Sequence, residues 1–165
     1  MTGLPPYWWS RNADEILWLE ISDREDFGTD LTHYVDRADG SLMPSYRLAR
    51  DEVNLSDIVF HYDLAWDGIR SWSRVAGPFQ EWDEAWEIEL DGPYRLQRAV
   101  TYKRLFEAGL PIERILKGLP ISREESRHLP FIFDSKGLRL AQTYLAKLPR
   151  RITEIFPQLA EPLEK

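Results

Sequence analysis

The side chains best spaced for chemistry lie between residues 57 and 90. Arg70, Trp72 and Arg74 fall at two-residue intervals in an alternating stretch. On a strand, an indole would therefore stand between two guanidiniums on one face, with Ile69, Ser71, Ser73 and Val75 on the other. An aromatic ring stacks on any nucleobase for about 1–3 kcal/mol, and arginine adds cation–π and phosphate contacts. The plainer arrangement is a Trp packed beneath a helix, with the two arginines reaching past it to solvent. His61 and Asp63 share a strand face and could begin the ligand set of a metal-dependent hydrolase. Such a site needs three or four ligands, and no His-x-x-x-His, His-Glu-x-x-His or zinc spacing supplies the others, so no metal is expected. Glu81, Asp83, Glu84, Glu87 and Glu89 offer carboxylates for acid–base work, but Glu87 and Glu89 alternate with Trp86, Ile88 and Leu90 and read as the wet side of a strand. His33 and His128 are isolated and read as surface or turn residues. The sequence carries no phosphate-cradling glycine loop, Gly-x-Ser-x-Gly elbow or dinucleotide fingerprint. Without cysteine there is no thiol nucleophile, cysteine zinc site or disulfide. These patterns predict a binding module, not an enzyme, with no cofactor.

The elements that must position these residues follow from periodicity. Residues 16–21 are dense in strand formers and predict a buried first strand. Residues 57–63 predict a second, with Ile58, Phe60 and Tyr62 on one face, and the turn signal Asp67-Gly68 joins it to a third at 69–75. Gly77-Pro78 is expected to end that strand, residues 85–90 to form another, and Gly92-Pro93 to close the strand-rich half. From Thr101 the period becomes helical. Thr101 can cap a helix over 102–108, and Pro111 can open one over 112–117. Ser122-x-x-Glu125 is a capping-box pattern cut short by Pro130. Apolar residues at 138, 141, 145 and 148 predict an amphipathic helix that Pro149 separates from a further one over 150–156. Residues 22–44 read as a polar loop or loose helix, and residues 1–13 as an irregular leader whose Tyr7, Trp8 and Trp9 fold back on the body. Strands followed by helices predict an α+β domain, a small curved β-barrel with peripheral helices, spanning 1–165 as one unit.

A chain of 165 residues that is 43% hydrophobic can build one sizeable core. Its apolar runs are far shorter than a bilayer span, and no charged-then-apolar leader opens it, so a cytoplasmic protein without a membrane partner is expected. The net charge of −7 is unevenly spread. Residues 1–93 carry 7 Lys and Arg against 20 Asp and Glu, and residues 94–165 carry 14 against 8. Such asymmetry accompanies nucleic-acid contact, or else the two halves pair internally.

Residues 45–63, followed by 69–77, resemble the central block of EVE domains, members of the PUA-like superfamily related to YTH readers. Residues 138–149 and Phe156-Pro157-Gln158-Leu159 are similar to the end of EVE readers fused to HNH nucleases. The resemblance implies a PUA-like barrel that binds DNA and holds a flipped base in an aromatic cage: methylated or hydroxymethylated cytosine, or methyladenine. This would be the recognition part of a modification-dependent restriction system, with any nuclease activity in a fused or partner HNH unit. Trp72 would be one cage wall, Tyr46 and Trp82 further walls, and Ser45, Asp63 and Gln142 polar contacts to the base edge. Arg70, Arg74 and Arg139 would lie near phosphates. The chain departs from the pattern at Ser56, where the family carries glycine, and in 22–44, which lacks the Trp-x-x-Arg-Asn of stand-alone EVE proteins. Seven Trp and seven Tyr also suit a carbohydrate- or peptide-binding module.

Overall fold

The computed structural model describes residues 7–34, 37–38, 41–42, 44–107, 128–134 and 137–164. Its strands are β1 (Leu17–Ser22), β2 (Asp30–Tyr34), β3 (Arg37–Ala38), β4 (Ser41–Leu42), β5 (Ile58–Asp63), β6 (Gly68–Trp82), β7 (Ala85–Thr101), β8 (Phe131–Asp134), β9 (Gly137–Leu140) and β10 (Leu145–Lys147). A 3-10 turn Trp8–Arg11 lies in the segment read as irregular, helix α1 (Pro44–Asp51) precedes β5 and α2 (Tyr102–Glu107) follows β7; a short helix Ile152–Ile155 and a 3-10 stretch Pro157–Glu164 complete the described chain. Six strands form one sheet in the order β10-β1-β5-β6-β7-β2, curled into a half-barrel. The architecture is α+β, with β1 and β5 parallel and the other neighbours antiparallel.

The near-continuous burial of β1 and β5 accounts for their largely apolar sequences, interrupted by Glu20 and His61, because the sheet is covered on both faces there. One face carries Leu17, Leu19, Ile58, Phe60, Tyr62, Ile69 and Trp72, and packs against Leu148, Ile152, Phe156 and Leu159 of the C-terminal segment. The concave face carries Trp18, Val59, Val75, Trp86, Ile88 and Leu31, closed by Trp8, Trp9, Tyr46 and Leu48. The aromatic leader folds back as expected: Trp8 and Trp9 are buried, and Tyr7 stacks on Trp9 at 4.4 Å.

Several sequence expectations meet a different outcome. Neither Gly77-Pro78 nor Gly92-Pro93 ends a strand, because each pair falls inside a register shift of the long β6–β7 hairpin where the ladder needs no proline N–H. The shifts also bend the hairpin and curl the sheet. The helical spacing at 138, 141, 145 and 148 belongs to two strands: β9 pairs with β8, and β10 pairs with β1 through Trp18↔Lys147. Tertiary pairing overrides the helical spacing there. Residues 22–44 contribute β2, which adds to β7 through Leu31↔Ile88, as well as β3 and β4. The turn at Asp67-Gly68 and the helix after Thr101 form as expected; Asp67 adopts a φ of 67°, and Thr101 Oγ1 accepts the Arg104 amide at 3.3 Å. The predicted helix over 112–117 and the Ser122-x-x-Glu125 box lie outside the described residues.

Candidate functional site

A cavity of about 570 Å³ opens on the concave side of the sheet. Its lining comes from the ends of β1 (Ile21, Ser22), the following loop (Asp23, Arg24), β2 (Thr32, His33, Tyr34), the start of α1 (Ser45, Tyr46), Leu64, Trp86, and Gln142 to Tyr144 ahead of β10. Trp86 borders the cavity but is fully buried behind Tyr144, while Tyr34 and Leu64, 73% and 45% exposed, stand at its opening. His33 faces Tyr144 at 4.9 Å between ring centroids with 34° between planes, and Trp86 meets Tyr144 edge-on at 5.9 Å. The cavity thus combines stackable ring surface with hydroxyl, amide, carboxylate and guanidinium groups, a lining suited to a flat, partly polar ligand.

Each part of the wall is fastened. Ser45 Oγ accepts the Leu145 amide at 3.1 Å and lies 3.1 Å from Thr143 Oγ1, which ties α1 to β10. Tyr46 donates its hydroxyl to Glu81, a bond that raises its pKa, and its ring packs edge-on against Phe79 at 5.6 Å. The Tyr144 phenol accepts the Thr32 amide at 3.0 Å and donates to Glu20, so this side chain bridges β2 to β1. Burial, followed by the Glu20 charge, raises the Tyr144 pKa well above the ordinary phenol value and keeps the group a donor. Burial alone would lower the Arg24 pKa, but hydrogen bonds to Asp26 and Asp30 and the charge of Glu20 outweigh it and hold the guanidinium charged.

Behind the cavity lies a fully buried polar chain. Glu20 Oε1 is 2.7 Å from His61 Nδ1, and His61 Nε2 is 2.7 Å from Ser73 Oγ. The spacing has the look of a nucleophile, base and orienting carboxylate, but it cannot work as one. Ser73 donates its single hydroxyl proton to the Gly28 carbonyl at 2.9 Å, so His61 Nε2 must be an N–H donor toward Ser73 and is not free to accept its proton. Ser73 is also fully buried. A Cβ on Gly92 would lie 2.3 Å from Ser73 Oγ and one on Gly28 2.3 Å from Pro93, so both positions require glycine for the loop to close over this chain. The chain's role is to hold β1, β5, β6 and the 23–29 loop in one geometry.

The sequence-derived residues divide between this cavity and other places. Ser45, Tyr46 and Gln142 line it. Trp72 does not: it is 4% exposed in the core on the opposite face, paired in register with Phe60 and packed on Tyr94 at 4.7 Å. Phe60 and Tyr94 flank it in register and the C-terminal segment packs on that face, which leaves its ring almost no accessible surface. Arg74 lies 5.7 Å from the Trp72 ring and donates to the carbonyls of Ser56 and Pro162, pinning the C-terminal segment. Trp82 is 52% exposed beside the β6–β7 turn, outside the cavity lining. Asp63 accepts the Ala65 and Trp66 amides and pairs with Arg70 at 3.2 Å, so its carboxylate shapes the β5–β6 turn just behind Leu64. Arg139 is exposed on β9. His61 and Asp63 do not converge, and among the described residues no group of three His, Asp or Glu is placed to hold a metal.

No protein-family model matches the chain, and no curated protein matches it significantly. The site therefore stands on its geometry. Sequence reasoning missed His33, Tyr34, Tyr144 and Trp86 as cavity residues, although the alternation of Trp86 with Glu87 was legible. His33 and Tyr34 were hidden in a stretch whose strand character depends on pairing with β7.

Proposed function

We propose that the chain is a reader of modified DNA and that the cavity over Trp86 is its base pocket. The observation that carries this reading is the convergence of Ser45, Tyr46 and Gln142 with His33, Tyr144 and Trp86 around one 570 Å³ space. That volume lies within the range of about 300–1,000 Å³ typical of small-molecule sites. His33, exposed on β2, supplies a ring face for stacking, and Gln142, exposed in the same lining, supplies edge hydrogen bonds. Extruding a base from a duplex costs a few kcal/mol, which stacking and edge contacts inside the pocket must offset. A methyl group contributes only about 0.8 kcal/mol of burial, so discrimination would depend on shape and polar contacts.

The curled sheet is compatible with the PUA-like barrel that the EVE resemblance implies, and this kinship is part of the proposal. So are a cytoplasmic setting and a fused or partner HNH nuclease that would cut what the reader binds. No described helix is long and apolar enough to cross a membrane. Of the cations named from sequence, Arg70 and Arg139 remain exposed enough to meet phosphates, whereas Arg74 is committed to the C-terminal segment.

The test is a fluorescence-anisotropy panel of single strands and duplexes carrying 5-methylcytosine, 5-hydroxymethylcytosine, N6-methyladenine or unmodified bases. The expected result is at least tenfold preference for one modified base, with affinity falling steeply as salt rises. Equal binding of modified and plain DNA would overturn the reading, and salt-independent binding of an oligosaccharide or peptide in its place would assign the pocket to that ligand class.

A further inference from the structure

The mouth of the cavity holds two large apolar side chains that the packing of the protein does not use. Tyr34 is 73% exposed at the end of β2, and Leu64 is 45% exposed just after β5. These strands are not neighbours: β6 and β7 lie between β5 and β2 in the sheet order, so the two side chains reach the mouth from different walls. Both are firmly mounted. The Leu64 amide donates to Ser22 O at 2.9 Å, and the Asp63 carboxylate before it accepts the Ala65 and Trp66 amides. Tyr34 sits opposite Ala85 in the β2–β7 ladder, and its ring meets His33 edge-on at 6.2 Å. Among the described residues the other exposed large apolar side chains, Leu55, Trp66, Trp82, Tyr94 and Tyr102, are not part of the cavity lining.

A base that leaves a duplex for a pocket leaves a gap behind it, and the unstacked neighbours and orphaned partner base then lose contacts. Apolar side chains placed beside such a pocket can enter the stack and recover part of that loss. Tyrosine and leucine fixed on strand ends suit this task because they offer area with little side-chain freedom to lose. We infer that Leu64 and Tyr34 are wedges that fill the space vacated by the extruded base, and that the natural target is double-stranded DNA. This inference rests on the base-pocket reading above.

The experiment compares the wild-type chain, Leu64→Ala, Tyr34→Ala and the double variant on two probes. One is a duplex with the modified base best bound in the panel, and the other is the same modified strand alone. Wedges act only when a stack must be opened. The double variant is expected to lose at least tenfold more affinity for the duplex than for the single strand, which the same two lining residues also touch, with thermal unfolding unchanged. Equal loss on both probes would make the two residues ordinary pocket lining and overturn the inference, and so would no loss on either. If the wild-type chain shows no preference for the modified single strand over the plain one, the base-pocket reading itself fails and the wedges fail with it.

Discussion

The two faces of the central sheet share strands but follow different rules. On the convex side, Trp72, Phe60 and Leu17 meet Leu148, Ile152 and Leu159 in an apolar contact, and the indole N–H of Trp72 has no hydrogen-bond partner among the described residues. On the concave side, the same strands β1, β5 and β6 place Glu20, His61 and Ser73 in a hydrogen-bonded chain that ends at the wall of a cavity. Alternation along each strand produces this division, since neighbouring residues such as Trp72 and Ser73 point to opposite sides. The convex face is expected to govern stability, and the concave face to govern geometry and binding.

The largest effect should come from Trp72→Ala, which empties a packed site and is expected to cost about 3–5 kcal/mol in denaturant unfolding. The fraction that remains folded should keep its preference among DNA probes; loss of that preference without loss of stability would reverse the assignment of the two faces. Glu20→Ala should also destabilise, by about 3–5 kcal/mol, because it leaves His61 and the Arg24 guanidinium facing a missing partner. Unlike Trp72→Ala, it should degrade binding in the folded molecules as well, since Arg24 and Tyr144 line the cavity.

Lys147 gives the comparison a pH dependence. Its ammonium is fully buried, 4.2 Å from the Trp18 ring, and donates to Glu15 O at 2.5 Å. Burial pushes its pKa down to about 8, against the pull of Asp57, Glu15 and Glu52. Between pH 8 and 10.5 the unfolded chain holds a proton that the folded chain has released, so this residue's contribution to stability rises with pH across that window and is flat below it. The gain is about 3 kcal/mol once both states have lost the proton. Lys147→Met should abolish the rise, which urea titrations of both proteins at pH 7.5 and 10 would detect; an unchanged slope would show that the proton belongs elsewhere. The smallest effect on stability should be that of His33→Ala. Exposed on a strand end, it is expected to change unfolding by less than about 0.5 kcal/mol, yet to weaken modified-base binding about tenfold through lost stacking.

How much of this was legible in the sequence depended on whether local pattern or distant pairing decided the outcome. The runs 16–21 and 57–63 and the Asp67-Gly68 turn were read correctly because composition and turn chemistry agree there with the tertiary result. Strand alternation also separated Trp72 from Ser73, but it could not say which side would be open. That depends on the C-terminal segment covering the convex face, a contact between residues nearly ninety positions apart, as between Arg74 and Pro162. Similarly, β10 was hidden because Leu145, Ala146 and Lys147 acquire strand form only beside β1. Of the pocket, Ser45, Tyr46 and Gln142 came from the EVE-like motif, and the aromatic walls came from the fold.

The sheet's outer strands, β10 and β2, never join through a backbone ladder, and near them the Tyr144 phenol bridges β2 to β1 by taking the Thr32 amide and giving its own proton to Glu20. An amide on the rim of a sheet ordinarily exchanges quickly with solvent, so protection of Thr32 against deuterium would report directly on whether this latch is shut. A molecule seated in the cavity would press against the latch itself, and deuterium uptake at that single amide would register its arrival.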